Sequence, residues 1–317
     1  MKGISTIAFS GGVGGAKLAL GLARVLPPEE LLIVANTADD FDHLGLHICP
    51  DLDTITYTLC GRANRSQGWG IEGETWNCLQ ALSELGGPDW FRLGDRDVAT
   101  HLYRTQRLRE GARLSEVTAE ICLALGIGQR LIPVSDDPVR TIVHTAGGDL
   151  PFQDYFVRQR CEPRVTGFRF DGADRAAINP ELHAALSSPD LSAVIFCPSN
   201  PFVSIAPMLA IPGMQEALLA ARAPIVAVSP IVGGTAVKGP AAKMMSELGL
   251  PITPLAVAKR YSDLATAFIV DVVDGDQVAR VRELGLACEA MPTLMNNDDD
   301  KLRLASSVID YCHALSR

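Results

Sequence analysis

No run of about 18 apolar residues occurs in the 317-residue chain, which argues against a single hydrophobic membrane-spanning helix. The short apolar stretch near the start, MKGISTIAFSGG, breaks off in glycines, so it predicts a first strand and not a signal peptide. Eight cysteines are present, yet no two stand in C-x-x-C spacing, which leaves a zinc ribbon and a thioredoxin-type centre unsupported. Most lie in apolar surroundings such as VIFCPSN and read as buried free thiols, in keeping with a reduced, cytoplasmic setting. Positive charge is short: 28 Lys and Arg against 37 Asp and Glu leave a formal net charge of -9. General nucleic-acid or anionic-membrane binding is disfavoured on that ground. Phosphate binding is not, because backbone amides and metal ions supply local positive potential. Internal repeats, low-complexity tracts and long linkers are also missing, so one compact unit is expected.

What is there is an alternation of strands and helices. Ile4 to Phe9 is a β-branched run, followed by the turn SGGVGGAK and the amphipathic LALGLARVL; Leu31 to Ala35 is a second apolar run. Strand, glycine turn, helix and strand in that order predict a parallel βαβ unit with right-handed crossovers. Helical periodicity continues over residues 75–85 and 115–125, each opening on a capping type, Thr75 and Ser115. Leu131 to Val134, Leu191 to Cys197, Pro224 to Val228, Ala267 to Val272 and Gly285 to Ala290 are further strand candidates. Asn179-Pro180 opens a helix, and Lys301 to Leu315 is the last one. Residues 141–170 are rich in β-branched and aromatic types around a Gly-Gly, which predicts antiparallel strands. The expected fold is therefore α/β, Rossmann-like, with a mostly parallel sheet and helices on both faces. Residues 1–135 and 186–317 form its core, and 136–185 a β-rich inserted subdomain.

Three sets of residues carry chemistry. The turn Gly11-Gly12-Val13-Gly14-Gly15 lets backbone amides approach a phosphate at a helix N-terminus. It is not a Walker A loop, since Ala16 separates Gly15 from Lys17 and Leu18 follows. It is not the dinucleotide pattern either, since Lys17 stands where the third glycine belongs. Its bland alternative is a tight turn without ligand. The second set is acidic. NTADDFDHLGLHICPDLDT packs Asp39, Asp40, Asp42, Asp51 and Asp53 into fifteen positions. Carboxylates this dense repel one another unless cations or hydrogen bonds compensate, and their hard oxygens suit Mg2+. Asp51 and Asp53 share a face if that stretch is extended. The alternatives are a solvated acidic loop, or a ribose contact from Asp39 as in nicotinamide enzymes. His43 and His47 would bind zinc only on a helix, which Gly45 argues against. The third set comprises loops at strand ends: Pro198-Ser199-Asn200-Pro201 and Ser229-Pro230-Ile231-Val232-Gly233-Gly234, with Lys238 in reach of a phosphate. Gly94-Asp95-Arg96-Asp97 reads as a helix start, or as a place where Arg96 or Arg104 holds a phosphate. Ser135-Asp136-Asp137 is either a polar turn or part of the same cleft.

SGGVGGAK, NTADD, CPDLDT, WFRLGDRD, SDD at 135–137, PSNP and SPIVGG occur in the order found in CofD-type 2-phospho-L-lactate transferases. The chain resembles that family from about residue 5 to its end, with Ala38 where the family commonly has glycine. The resemblance implies an Mg2+-dependent, commonly homodimeric Rossmann-type enzyme of coenzyme F-420 biosynthesis. Its reaction would move a phosphoacid (2-phospholactate, phosphoenolpyruvate or 3-phosphoglycerate) from a guanosine-diphosphate-linked donor to the ribityl hydroxyl of the deazaflavin Fo, releasing GMP. By the same likeness Asp39, Asp51 and Asp53 would hold the metal, with Asp39 and Asp53 catalytic. Gly11, Gly12, Gly14, Gly15, Lys17, Ser199, Asn200, Ser229, Gly233 and Gly234 would face nucleotide and phosphate. Fo would lie near Asn36, Asp95 and Arg96. A nicotinamide dehydrogenase is the competing enzyme reading. A nucleotide-binding regulatory protein without turnover is the competing class, and is expected to lack the CPDLDT and GDRD set.

Overall fold

The computed structural model describes residues 3–64 and 66–316. Seven strands form one parallel sheet: β1 (Thr6–Ser10), β2 (Leu31–Ala35), β3 (Arg130–Pro133), β4 (Ala193–Phe196), β5 (Ile225–Val228), β6 (Ala267–Asp271) and β7 (Ala287–Met291). Their spatial order is 3-2-1-4-5-6-7. The first six follow the doubly wound order, in which the winding reverses between β1 and β4. All five expected later strands are present within two residues of their expected bounds.

Parallel strands covered on both faces read as continuous apolar runs, and β1, β2, β4, β5 and β6 are buried at every position. Alternate side chains feed two cores. Ile7, Phe9, Leu32, Val34 and Phe196 enter one. Ala8, Leu31, Ile33, Ile195 and Val228 enter the other, against α1 (Gly12–Val25), α2 (Pro50–Leu59) and the C-terminal helix Asp298–Leu315. That last helix starts three residues earlier than expected because Asn297 accepts a hydrogen bond from the Asp300 N–H at 2.8 Å and three aspartates fill its first turn. Asn179 likewise caps Pro180–Leu186, accepting from Glu181 N–H at 3.0 Å.

Arg140–Thr145, Gly148–Pro151 and Val165–Asp171 form the antiparallel sheet, with the first strand in the middle. Residues between the last two strands depart from the strand expectation: Asp154–Arg158 is a π-helical turn. The antiparallel sheet is not a satellite, since Val143, Val165 and Tyr155 join the core of Ile7 and Phe9. It also steadies the loop after β2, where Thr141 N–H donates to Ala38 O at 2.7 Å and Gln153 Nε2 donates to Asp39 O at 3.2 Å. Among the described residues no single helix is long and apolar enough to cross a membrane.

Candidate active site

The reversal between β1 and β4 opens a cavity of about 550 Å3 at the carboxyl ends of the strands, the place where open α/β sheets bind ligands. Its floor starts at the glycine turn. Gly11 N–H donates to Ser199 Oγ at 3.0 Å and Gly12 N–H donates to Asp51 Oδ1 at 2.6 Å. Helix α1 begins at Gly12 with no side-chain cap, and Val13, Gly14 and Lys17 line the cavity. Glycine is needed here for closeness: a Cβ on Gly14 would lie 2.4 Å from Pro198 O, and one on Gly15 would lie 2.5 Å from Ser10 Oγ and 2.6 Å from Ser199 Oγ. Gly15 itself is packed under the floor and does not reach the cavity. Gly14→Ala is expected to force the PSNP loop away from β1, at an overpacking cost of roughly 1–3 kcal/mol. Thermal denaturation checks this, and an unchanged melting temperature would show that the loop yields freely.

Two carboxylates meet above the turn. Asp39 follows β2 and lines the cavity while only 7% exposed; its Oδ1 has no hydrogen-bond partner among the described residues. Burial, then Asp51 and Asp40, push its carboxyl well above the usual range. Asp51 comes from the first turn of α2. Burial drives it up to about 6, against the hydrogen bonds from Asn36 and Gly12. The stretch around it is helical and not extended, because Pro50 sits at the first helical position. Asp51 and Asp53 therefore take different partners: Asp53 lines the same cavity but pairs with Arg104 on helix α3 (Asp95–Arg109), whose two terminal nitrogens fork onto its two oxygens, one of them at 3.1 Å. Arg104, one of the two arginines that could have held a phosphate, is only 3% exposed and also contacts His101 Nδ1 at 3.1 Å. Tyr57 OH donates to Asp97 at 2.6 Å beside it. Asn36 is fully buried and donates to Asp51 Oδ2 at 2.9 Å, so it orients a carboxylate and does not reach the cavity.

The opposite rim is basic. Lys17 Nζ donates to Met295 O at 2.8 Å, and Lys238 lines the cavity with it. Neither has a carboxylate partner among the described residues, and burial, then Lys301 and Lys238, lower Lys17. Ser199, Asn200 and Ser229 line the cavity as expected. The Asn200 and Ser229 side chains are partly used locally, on Phe202 N–H at 2.9 Å and on Ile231. Gly233 and Gly234 do not line it: with φ of 56° and 75° they turn the hairpin Ile231–Val232/Thr235–Ala236.

Asp95 and Arg96 are also off the cavity wall. Asp95 is a remote cap for the helix Asn77–Glu84, accepting from Thr75 Oγ1 at 2.7 Å, Asn77 N–H at 3.1 Å and Cys78 N–H at 2.9 Å. Those bonds hold its carboxyl down at about 2. Arg96 is exposed over Glu72 and Glu74. The 135–137 turn stays local as well. Asp136 accepts from Ser115 N–H and Oγ, which places Ser115 inside its helix, and Asp137 accepts from Ala177 N–H. An aromatic wall as such was not anticipated, although the stretch following Trp90, where the deazaflavin was expected, contributes Phe91 to it. Trp69, Trp90, Phe91, Phe152 and Phe156 line the far end of the cavity, with Phe152 and Phe156 stacked at 5.3 Å and 6°. The i, i+4 spacing of Phe152 and Phe156 was the available signal, hidden because the segment read as strand.

The family described as 2-phospho-L-lactate transferase CofD matches residues 6–302. A phosphoenolpyruvate transferase of Kitasatospora aureofaciens is 42% identical over 310 residues, covering 96% of each chain. A 2-phospho-L-lactate transferase of Methanosarcina mazei is 39% identical over 303 residues, covering 96% of this chain and 99% of that one. A crystal structure of a UPF0052 family member from Bacillus halodurans superposes with a TM-score of 0.61 at 14% identity, covering 98% of this chain and 99% of that one, a likeness of fold. With the family matching nearly end to end, the chain belongs to the CofD family of 2-phospho-L-lactate transferases.

Proposed function

We propose that the protein transfers a phosphoacid group from its guanosine-diphosphate-linked donor to the terminal ribityl hydroxyl of the deazaflavin Fo, with release of GMP. One observation carries this reading: a single cavity joins an amide- and lysine-lined end, a pair of buried carboxylates and an aromatic wall. The diphosphate belongs over the first turn of α1, between Lys17 and Lys238, where helix polarity and cationic side chains favour negative charge. The flat deazaflavin belongs against Trp90, Phe91, Phe152 and Phe156, which offer stacking faces. Its ribityl chain then points back to Asp39. The hydroxyl oxygen attacks the phosphorus that bears the organic acid, the bond to the bridging oxygen breaks, and GMP takes the electron pair; the hydroxyl proton passes to a carboxylate of the site. Such transfers need positioning and charge neutralisation more than covalent help from the protein.

Asp39 and Asp51 would hold Mg2+, and the unpartnered Asp39 Oδ1 beside a carboxylate raised by burial is the donor set that a hard dication satisfies. When bound it would neutralise charge on the phosphates. Asp53, the third carboxylate expected at the metal, lines the same cavity; in this reading its fork with Arg104 makes it a support of α2 and Asp51.

The carboxylates must be ionised to bind the cation, so apparent Mg2+ affinity is expected to rise with pH by at least tenfold per unit below about 6, where Asp51 titrates. Half-saturating Mg2+ measured between pH 5 and 8 checks this; a flat profile would remove Asp51 from the metal site. The function itself is tested by incubating the protein with Fo, Mg2+ and each guanylylated phosphoacid, following product mass and GMP. Competition among the acids ranks them by kcat/KM. Failure of all three, with Asp39→Ala leaving ligand binding unchanged, would refute the proposal.

A further inference from the structure

Beneath the carboxylate pair lies a second cluster with different chemistry. We infer that Asp40, His47 and Cys49 bind a thiophilic divalent cation of the Zn2+ class, separate from the oxygen-only pair Asp39 and Asp51. One carboxylate oxygen, one imidazole nitrogen and the thiol sulfur all lie within 4.8 Å of one another. Zinc bonds of about 2.0–2.3 Å set ligand-to-ligand separations of about 3.4–3.8 Å in a tetrahedral shell, so small rotamer shifts close it.

The local fold brings the three together. Leu44 and Gly45, with φ of 55° and 72°, turn the hairpin Phe41–His43/Leu46–Ile48 back toward β2. His47 and Cys49, two apart, then come to the same side, and Asp40 lies at the entry to the hairpin. Two further observations point to a ligand. Asp40 is 2% exposed, and its Oδ1 has no hydrogen-bond partner among the described residues. His47 is oriented as metal-bound histidines are: its Nδ1 sits 3.1 Å from Asp42 Oδ1, which leaves Nε2 toward Asp40 Oδ2 at 3.8 Å. Its backbone N–H is fixed on Thr105 Oγ1 at 2.7 Å. A sulfur, nitrogen and oxygen set with an open fourth position suits zinc, and Mg2+ prefers all-oxygen shells, so the two sites sort their cations by ligand softness. Because Asp39 and Asp40 are consecutive, the deeper cation would pin the chain that presents Asp39.

Cobalt titration of the whole protein in excess Mg2+ tests the assignment. One equivalent of Co2+ is expected to give a thiolate-to-cobalt charge-transfer band and the intense visible bands of four-coordinate cobalt, both bleached by Zn2+. Cys49→Ser is expected to lose the charge-transfer band. Asp42→Asn is expected to keep the band and weaken Co2+ by 10–100-fold, the usual effect of losing such an orienting partner. Should Cys49→Ser not fold, His47→Gln on the half-buried hairpin serves instead and is expected to lose the four-coordinate spectrum. A wild-type protein without the band, or a band that survives both substitutions, overturns the inference.

Discussion

Asp39→Asn is expected to raise the melting temperature of the metal-free protein while cutting turnover by on the order of 10^3-fold or more. The two effects share a cause. Asp39, Asp40 and Asp51 are buried together, and the shifts of Asp39 and Asp51 run upward. A carboxyl whose native value lies above its unfolded value keeps its proton in the native state at pH values where the unfolded chain has released it. Stability then falls as pH rises from about 4, the unfolded carboxylate range, through 6. Between 3.8 and about 6, Asp51 alone accounts for roughly 3 kcal/mol. An amide at position 39 removes one charge from the group, so the substituted protein is expected to be more stable above pH 6 and indistinguishable from wild type near pH 4. Added Mg2+ should reverse the order, because ligand binding stabilises only the wild type. The loss of turnover follows from the several kcal/mol of charge stabilisation that a bound cation supplies. Melting curves with and without Mg2+ at two pH values, alongside the transfer assay, check both halves. A metal-free Asp39→Asn protein that melts lower at pH 8 would show that the charges are already compensated.

Arg104→Met is expected to destabilise the protein by about 3–5 kcal/mol, the usual cost of stranding one partner of a buried ion pair, and to lower the melting temperature by roughly 10 °C. Burial opposes the charge of Arg104, and Asp53 beside it more than offsets that. Without the guanidinium, Asp53 is left 6% exposed with a full charge, and His101 and His47 lose contacts as well. The double substitution Asp53→Asn with Arg104→Met should recover most of the loss, since what costs energy is the unpaired charge. A double-mutant cycle from thermal or urea unfolding gives the coupling. Additive single effects would mean that the fork contributes packing alone. Because Asp53 and Asp51 share the first turn of α2, the single variant should also require more Mg2+ for half-maximal rate, and the double variant less than the single.

The sheet was legible because each buried strand is a short β-branched run bounded by turn residues, and the glycine turn because four glycines in five positions stand between the first strand and the first helix. The carboxylates Asp39 and Asp51 were legible as a cluster. Their division of labour was not, because it depends on Pro50 starting a helix and on Arg104 arriving from fifty-one positions away. Cys-Pro-Asp was itself a helix-start signal and argued against an extended stretch. The structural role of Asp95 was hidden for a similar reason: only the fold reveals that this carboxylate in a dense charged stretch caps a helix that begins at Asn77. The aromatic wall was invisible because its members come from three stretches, around residues 69, 90 and 152–156, that no local pattern connects.

The two ends of the cavity differ in how free they are to evolve. At the phosphate end, a Cβ on Gly11, Gly14 or Gly15 would come within 2.6 Å of a neighbouring atom, so nearly every substitution there disturbs the junction of β1 and β4. At the aromatic end, Trp69 is 41% exposed on a loop and Phe156 38% exposed on the π-helical turn, both outside the parallel sheet. Under the proposed reaction, descendants of this sequence would exchange one flat acceptor for another by changing rings at the rim, while the end proposed to handle the phosphates stays frozen. Divergence in what accepts the group should outpace divergence in how the group is carried.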